Sequence, residues 1–272
     1  MTPLLKALAL AALLAAAGCA STRGDADPRD PFEPANRAIY RFNEGFDEAI
    51  ARPVATAYHD NVHEEIRNRV RNFFANIADL FIGVNDFLQG KVEDGVIDWA
   101  RFAFNSTFGL LGLHDIASDG GLEKHNEDFG QTFGRWGVGD GPYIVLPILG
   151  SSTLRDSVGT FFDIYTDPVT DFRPIRLRNS AVVLRAVGAR ADLLDASRLL
   201  EEAALDKYVF QRDAYLQRRR SLIYDGHPPR EEPQSAAPID GAAAARADNV
   251  YLPRAPANYE AVMATLSEDS RR

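Results

Sequence analysis

Residues 66–90 read IRNRVRNFFANIADLFIGVNDFLQG. Apolar side chains recur at Ile66, Val70, Phe73, Phe74, Ile77, Leu80, Phe81, Val84, Phe87 and Leu88, and the run stops at Gly90. Spacing by three and four over this length predicts one long amphipathic helix closed by a glycine. Its strongest apolar markers are Phe73, Phe74, Phe81 and Phe87, with Arg67 and Arg71 on the flank. Two placements fit such a helix. Its aromatic stripe is either packed into a protein core, or seated at a membrane interface with the rings among acyl chains and the guanidinium groups at headgroups.

Outward from this helix the dominant period stays helical. Helices are expected over Glu93–Phe104, from a Ser152 or Thr153 cap to about Tyr165, over Ser180–Leu205 and over Lys207–Leu222. Ala35–Ala57 also reads as helix, with a break near Pro53, because proline lacks the amide hydrogen a helix interior needs. Tyr143–Leu146 is the one short β-rich run. The fold class is therefore mostly α with little β. No apolar run after residue 18 reaches 18 residues, so none reads as an ordinary membrane-spanning helix.

The N-terminus carries a different signal. Lys6 precedes an apolar stretch, Ala7–Ala17, and Ala16-Ala17-Gly18 places small residues before Cys19, the single cysteine of the chain. Charge, apolar stretch and small-residue site are the order of a secretory signal. We therefore expect cleavage before Cys19 and acylation of its thiol and new amine. Ala20, rather than an aspartate, follows the cysteine, which favours the outer membrane. The expected organisation is a signal peptide over residues 1–18, a lipidated tether over 19–31, a helical domain over 32–224 and a polar, Pro- and Ala-rich tail over 225–272 without a packed core. Within that tail, Asn258–Leu266 is the only helical candidate. Loss of residues 1–18 removes one lysine and no acid, moving the formal charge from −9 to −10. Such a chain is a poor partner for nucleic acid. Attachment to a membrane would rest on acyl chains and apolar surface.

Catalytic and metal motifs fail one by one. His59 and His63 are four apart, but Asp60 follows His59 where H-E-x-x-H has glutamate, and no third ligand is evident. Gly150-Ser151-Ser152 continues with Thr153-Leu154 rather than completing G-x-S-x-G, and Ser152 reads as a helix cap. Gly134, Gly137, Gly139 and Gly141 form a glycine-rich loop, but Pro142 prevents the helix a nucleotide site requires. Asp115, Asp119 and Glu123 lack the alternation of a calcium loop. No cofactor, metal or catalytic set is expected.

Three stretches together carry a resemblance. They are DPFEPANR at residues 30–37 with Tyr40-Arg41-Phe42-Asn43, then NDFLQGK at 85–91 with RFAFNST at 101–107, and FGQTFGRWGVG at 129–139 continuing into GPYIVLP at 141–147. In these the chain resembles the MlaA (VacJ) family of outer-membrane lipoproteins over roughly Asp30–Tyr224. The resemblance implies a ring-like helical protein lodged in the inner, periplasmic face of a Gram-negative outer membrane. Through an amphipathic channel it would remove mislocalised phospholipids from the outer leaflet and pass them to a soluble periplasmic carrier. Association with trimeric porins is implied as well.

Within that frame Arg173, Arg176, Arg178 and Arg185 are candidate phosphate contacts, since guanidinium groups match phosphate oxygens. Pairing with Asp163, Asp167 and Asp171 is the competing use. The glycines at 134, 137, 139 and 141 fit either a hinge or a rigid turn. Asp115–Asp128 reads as a polar hairpin or loop between helical halves. Two other readings are open: a porin-associated structural lipoprotein without transport, and a membrane-bound hydrolase, for which no nucleophile or metal is offered.

Overall fold

The computed structural model of the chain describes residues 27–229. The expectations for Cys19, the signal, most of the tether and the Asn258–Leu266 helix lie outside the described residues.

Ten α-helices and one β-hairpin make up the described part. Helix α1 (Glu33–Phe46) passes through a π-helical turn (Asp47–Ala51) directly into α2 (Arg52–Asn61). The expected break at Pro53 is thus no break. Proline removes one amide donor and crowds the carbonyl four residues back, and the wider π turn just upstream absorbs both. Helix α3 (Glu64–Gln89) ends at Gly90 in the left-handed conformation, φ 83°, and the chain turns back into α4 (Val92–Thr107). A short α5 (Ile116–Asp119) and a segment without regular structure over 122–128 lead to α6 (Phe129–Arg135).

Strand β1 (Tyr143–Leu146) is the predicted one. Its antiparallel partner β2 (Gly150–Thr153), with Tyr143 opposite Thr153, escaped prediction because its sequence is only Gly-Ser-Ser-Thr. Thr153, not Ser152, caps α7 (Leu154–Thr166), accepting from the Asp156 amide at 3.1 Å. A 3₁₀ turn (Pro168–Asp171) precedes α8 (Ile175–Asp192), α9 (Leu194–Ala203) and α10 (Lys207–Ile223). The helix expected over Ser180–Leu205 therefore starts earlier, just after Pro174, whose fixed φ suits a helix start, and it breaks at Leu193.

Apolar cores are small. Phe74, Val169 and Ala181 form one cluster with Phe73, Val70 and Ile77 around it; Tyr143, Val145 and Tyr208 form another; Ala55, Ala191 and Leu194 a third. Most of the largest fully buried side chains are instead polar or charged, among them Arg101, Gln131, Asn36, Asn85, Asp79 and Asp86.

The α3–α4 pair shows how this arises. Asn76, Asp79, Gly83 and Asp86 lie on one stripe of α3, and Gly95, Asp98, Arg101 and Asn105 on one stripe of α4; all are buried. At Gly83 and Gly95 the helices touch: a Cβ on either would come 3.0 Å from the other's carbonyl oxygen. Much of the polar seam is satisfied locally, but neither carboxylate oxygen of Asp86 is. Arg101 donates to Asp115 Oδ2 at 2.9 Å and to the Leu122 carbonyl at 2.6 Å; Asn76 donates to Ser106 Oγ at 2.9 Å; Lys124 pairs with Asp79.

The outer faces invert in turn. Val92, Val96 and Trp99 of α4 are exposed at helical spacing, as are Leu154, Val158, Phe161 and Tyr165 of α7, the last two at 65% and 77%. In water such stripes belong inside. Trp99 and Trp136 are also exposed, yet their indole N–H groups turn inward to the carbonyls of Leu80 (3.0 Å) and Leu88 (2.8 Å). Their outward surface is left purely apolar. No helix among the described residues is long and apolar enough to cross a membrane.

Candidate functional site

Between α3, the end of α7, α8 and α10 lies a cavity of 580 Å³, within the range of about 300–1,000 Å³ typical of ligand sites. Its lining mixes two chemistries. Ile77, Phe81 and Ile82 of α3, with Ile164, Pro168 and Leu222, supply apolar surface; Asp128, Gln131, Asp163, Arg185, Tyr215, Arg218 and Arg219 supply polar groups.

The polar groups are held by a network centred on the buried Asp156. Arg219 forks onto Asp128, with Nη1 2.6 Å from Oδ2 and Nη2 2.9 Å from Oδ1, and its Nη2 also donates to Asp156 Oδ1 at 3.1 Å. Tyr215 donates its hydroxyl to Asp156 Oδ2 at 2.7 Å, and Arg155 donates to Asp156 Oδ1 at 2.8 Å. Burial alone would raise the Asp128 carboxyl, but the paired Arg219 guanidinium and the Gln131 amide outweigh it and hold it below the usual range. Asp163 has no such partner. Burial pushes it up to about 6, and the single hydrogen bond from the Phe129 amide, 3.1 Å, only moderates this.

Arg185 reaches the cavity, pairs with Asp167 and lies 5.9 Å above the Phe74 ring. Of the four arginines singled out from sequence it is the only one lining this space; both expected uses, cavity donor and aspartate pairing, meet in it. Arg173 and Arg176 are exposed near the start of α8, and Arg178 donates to its neighbour Asn179 at 3.2 Å. Arg218, which sequence reasoning passed over, is exposed at the cavity and has no carboxylate partner among the described residues. Only its place in the run Arg218-Arg219-Arg220 marked it beforehand, and that signal is shared by its neighbours.

The aromatic markers separate. Phe74 is buried against Val169 and Ala181 with Phe73 beside it, Phe81 lines the cavity, and Phe87 packs edge-on to Trp99 at 4.9 Å. Arg67 and Arg71 lie with Phe74 and Arg185 along a smaller crevice of 120 Å³, where Arg71 pairs with Asp192 at 3.2 Å. Among the glycines, Gly137 and Gly141 have positive φ, 90° and 66°, and so need glycine's freedom; Gly134 lies against Ile223, where a Cβ would come within 2.9 Å. Gly139 is under neither constraint.

The segment 115–128 is tied down as structure. Asp115 caps α5, and the residues after it bond across to α3 and α4. His59 and His63 do not share a helix: His63 caps α3, its ring accepting from the Glu65 amide at 3.4 Å. The fold instead gathers Asp86, Asp98 and His125, whose ligand-capable atoms lie within 4.8 Å of one another. Burial, with Asp98 alongside, pushes the Asp86 carboxyl up to about 8.

Comparison with known proteins bears on this geometry. The sequence model of the family described as "MlaA lipoprotein" matches residues 28–222. The chain is 38% identical over 239 residues to the intermembrane phospholipid transport system lipoprotein MlaA of Escherichia coli (strain K12), covering 86% of this chain and 94% of that protein. Against the protein of the same name from Haemophilus influenzae it is 32% identical over 235 residues, covering 83% and 90%. A chain solved in a study of the structural basis for maintenance of bacterial outer membrane lipid asymmetry superposes with a TM-score of 0.64 at 36% identity, covering 71% of this chain and 98% of that one.

Proposed function

The chain belongs to the MlaA lipoprotein family, and from that premise we propose how it serves as the outer-membrane lipoprotein of an intermembrane phospholipid transport system that maintains lipid asymmetry. The observation that carries the reading is a cavity lined by both apolar and cationic side chains inside a protein with outward apolar stripes. A phospholipid needs both chemistries. Its acyl chains match Phe81, Ile82, Ile164 and Leu222, while its phosphodiester matches the exposed Arg218. The stripes of α4 and α7 seat the molecule in the inner leaflet, so lipid can enter without the protein spanning the bilayer.

Passage needs no bond made or broken, and the cavity hydroxyl that meets a carboxylate, Tyr215 on Asp156, is kept protonated by burial and by that negative charge. We read the protein as a conduit rather than an enzyme. Acylation at Cys19 holds it at the periplasmic face, where a soluble carrier collects the lipid and trimeric porins flank it.

Ala78 lines the cavity and is exposed, so Ala78→Trp fills the space with little cost to the fold. A deletion strain complemented with this variant should accumulate phospholipid in the outer leaflet and become detergent-sensitive at normal protein levels. Full complementation by Ala78→Trp would favour the structural lipoprotein without transport.

A further inference from the structure

We propose that Asp86, Asp98 and His125 form a binding site for one divalent transition ion, which pins the segment flooring the cavity to the α3–α4 pair. Asp86 is fully buried, and neither of its carboxylate oxygens receives a hydrogen bond. Asp98 on the facing helix is equally buried, and no Lys or Arg pairs with either carboxylate among the described residues. The nearest ammonium, Lys91, is committed to Glu127 at 3.0 Å and to Asp225. Two buried carboxylates side by side without cations are strongly unfavourable. The Gly83–Gly95 contact nevertheless forces them together.

His125 completes the set. Its Nδ1 lies 2.9 Å from Asp98 Oδ2, and its Nε2 lies 3.7 Å from Asp94 Oδ1 on the outer side. Nδ1 faces the carboxylates as a ligating nitrogen would, whereas 3.7 Å is beyond hydrogen-bond reach for Nε2 and Asp94. Two carboxylates and one imidazole suit Zn²⁺ or a neighbouring first-row ion rather than the all-oxygen shells of Mg²⁺ or Ca²⁺. Sequence spacing hid the site, since its ligands come from two helices and a loop. Asn126, Glu127 and Asp128 follow His125 directly and line the cavity, so an ion here fixes the position of its floor.

The test uses the full-length acylated protein in detergent, stripped with chelator and titrated with Zn²⁺, and with Co²⁺ as a spectroscopic probe. One equivalent should bind and raise Tm by about 5 °C or more at saturating metal, with a Co²⁺ absorption band carrying an imidazole ligand. Asp86→Asn and His125→Gln should each lose the equivalent, the shift and the band. Should Asp86→Asn fail to fold, His125→Gln, at a partly exposed loop residue, decides alone. The proposal is overturned if wild type binds nothing; a raised Tm in Asp86→Asn would then mean that the carboxylates share a proton. Binding unchanged in His125→Gln overturns it too, placing the metal elsewhere.

Discussion

Gly159 of α7 lies against Gly130 of α6 so closely that a Cβ on Gly159 would stand 2.3 Å from the Gly130 amide nitrogen. This contact sets the distance between α6 and α7. Gly130 is equally enclosed: a Cβ there would meet Arg219 Nη2 at 2.6 Å and Asp156 Oδ1 at 2.7 Å. The cavity's charged groups are thus built on a backbone crossing with no room for a methyl group.

Gly159→Ala should accordingly push the two helices apart, at a cost of about 3 kcal/mol, the upper range for overpacking. Thermal denaturation in detergent would register this as a lowered Tm. Gly139→Ala, in open space and at negative φ, should leave Tm within a degree or so of wild type.

Asp163 makes stability depend on pH in a specific direction. Its folded carboxyl titrates near 6, above its ordinary value of 3.8, because it is buried. The folded state therefore keeps a proton that the unfolded chain releases, and stability falls as pH rises from about 4 to about 6. Asp163→Asn should be without effect below pH 4 and should raise Tm above pH 6. The Phe129 amide retains an oxygen to bond to. A Tm difference of the same size at both ends of the range would remove Asp163 as the cause.

The outward stripe of α7 should matter for membrane seating and not for folding. Phe161→Ser with Tyr165→Ser removes two of its most exposed rings. Helical circular dichroism should be unchanged, while reconstituted protein lacking its acyl anchor should float less with liposomes. Unchanged flotation would mean that these residues face something other than lipid.

The sequence made the helices legible and left their facing ambiguous, for a physical reason visible in α3. Its apolar residues recur every three and four positions, but so do Asn76, Asp79, Gly83 and Asp86. Period alone says that a helix has two faces; it does not say which one is inside. In a water-soluble protein the apolar stripe wins, and here the polar seam of α3 and α4 does, with Lys124 and His125 arriving to pair with Asp79 and Asp98. Those partners come from beyond the α3 helix and carry no local signal. The same limit hid Arg218 and the Asp86–Asp98–His125 group, whereas Gly90 announces the end of α3 through local geometry alone, and Pro174, equally local, is passed over in placing its helix from Ser180.

The central claim is that phospholipid occupies the cavity between α3 and α10. It is tested most directly by photo-crosslinkers placed one at a time at Ala78 and Leu222, which line the cavity, and at Phe161 and Tyr165 on the outer stripe, in cells whose phospholipids are radiolabelled. The account predicts phospholipid adducts from the two cavity positions that Ala78→Trp in the same chain abolishes at Leu222, with adducts from the outer stripe unaffected by that change. Adducts from Phe161 and Tyr165 alone, with none from Ala78 or Leu222 in a protein that still restores lipid asymmetry, would contradict it.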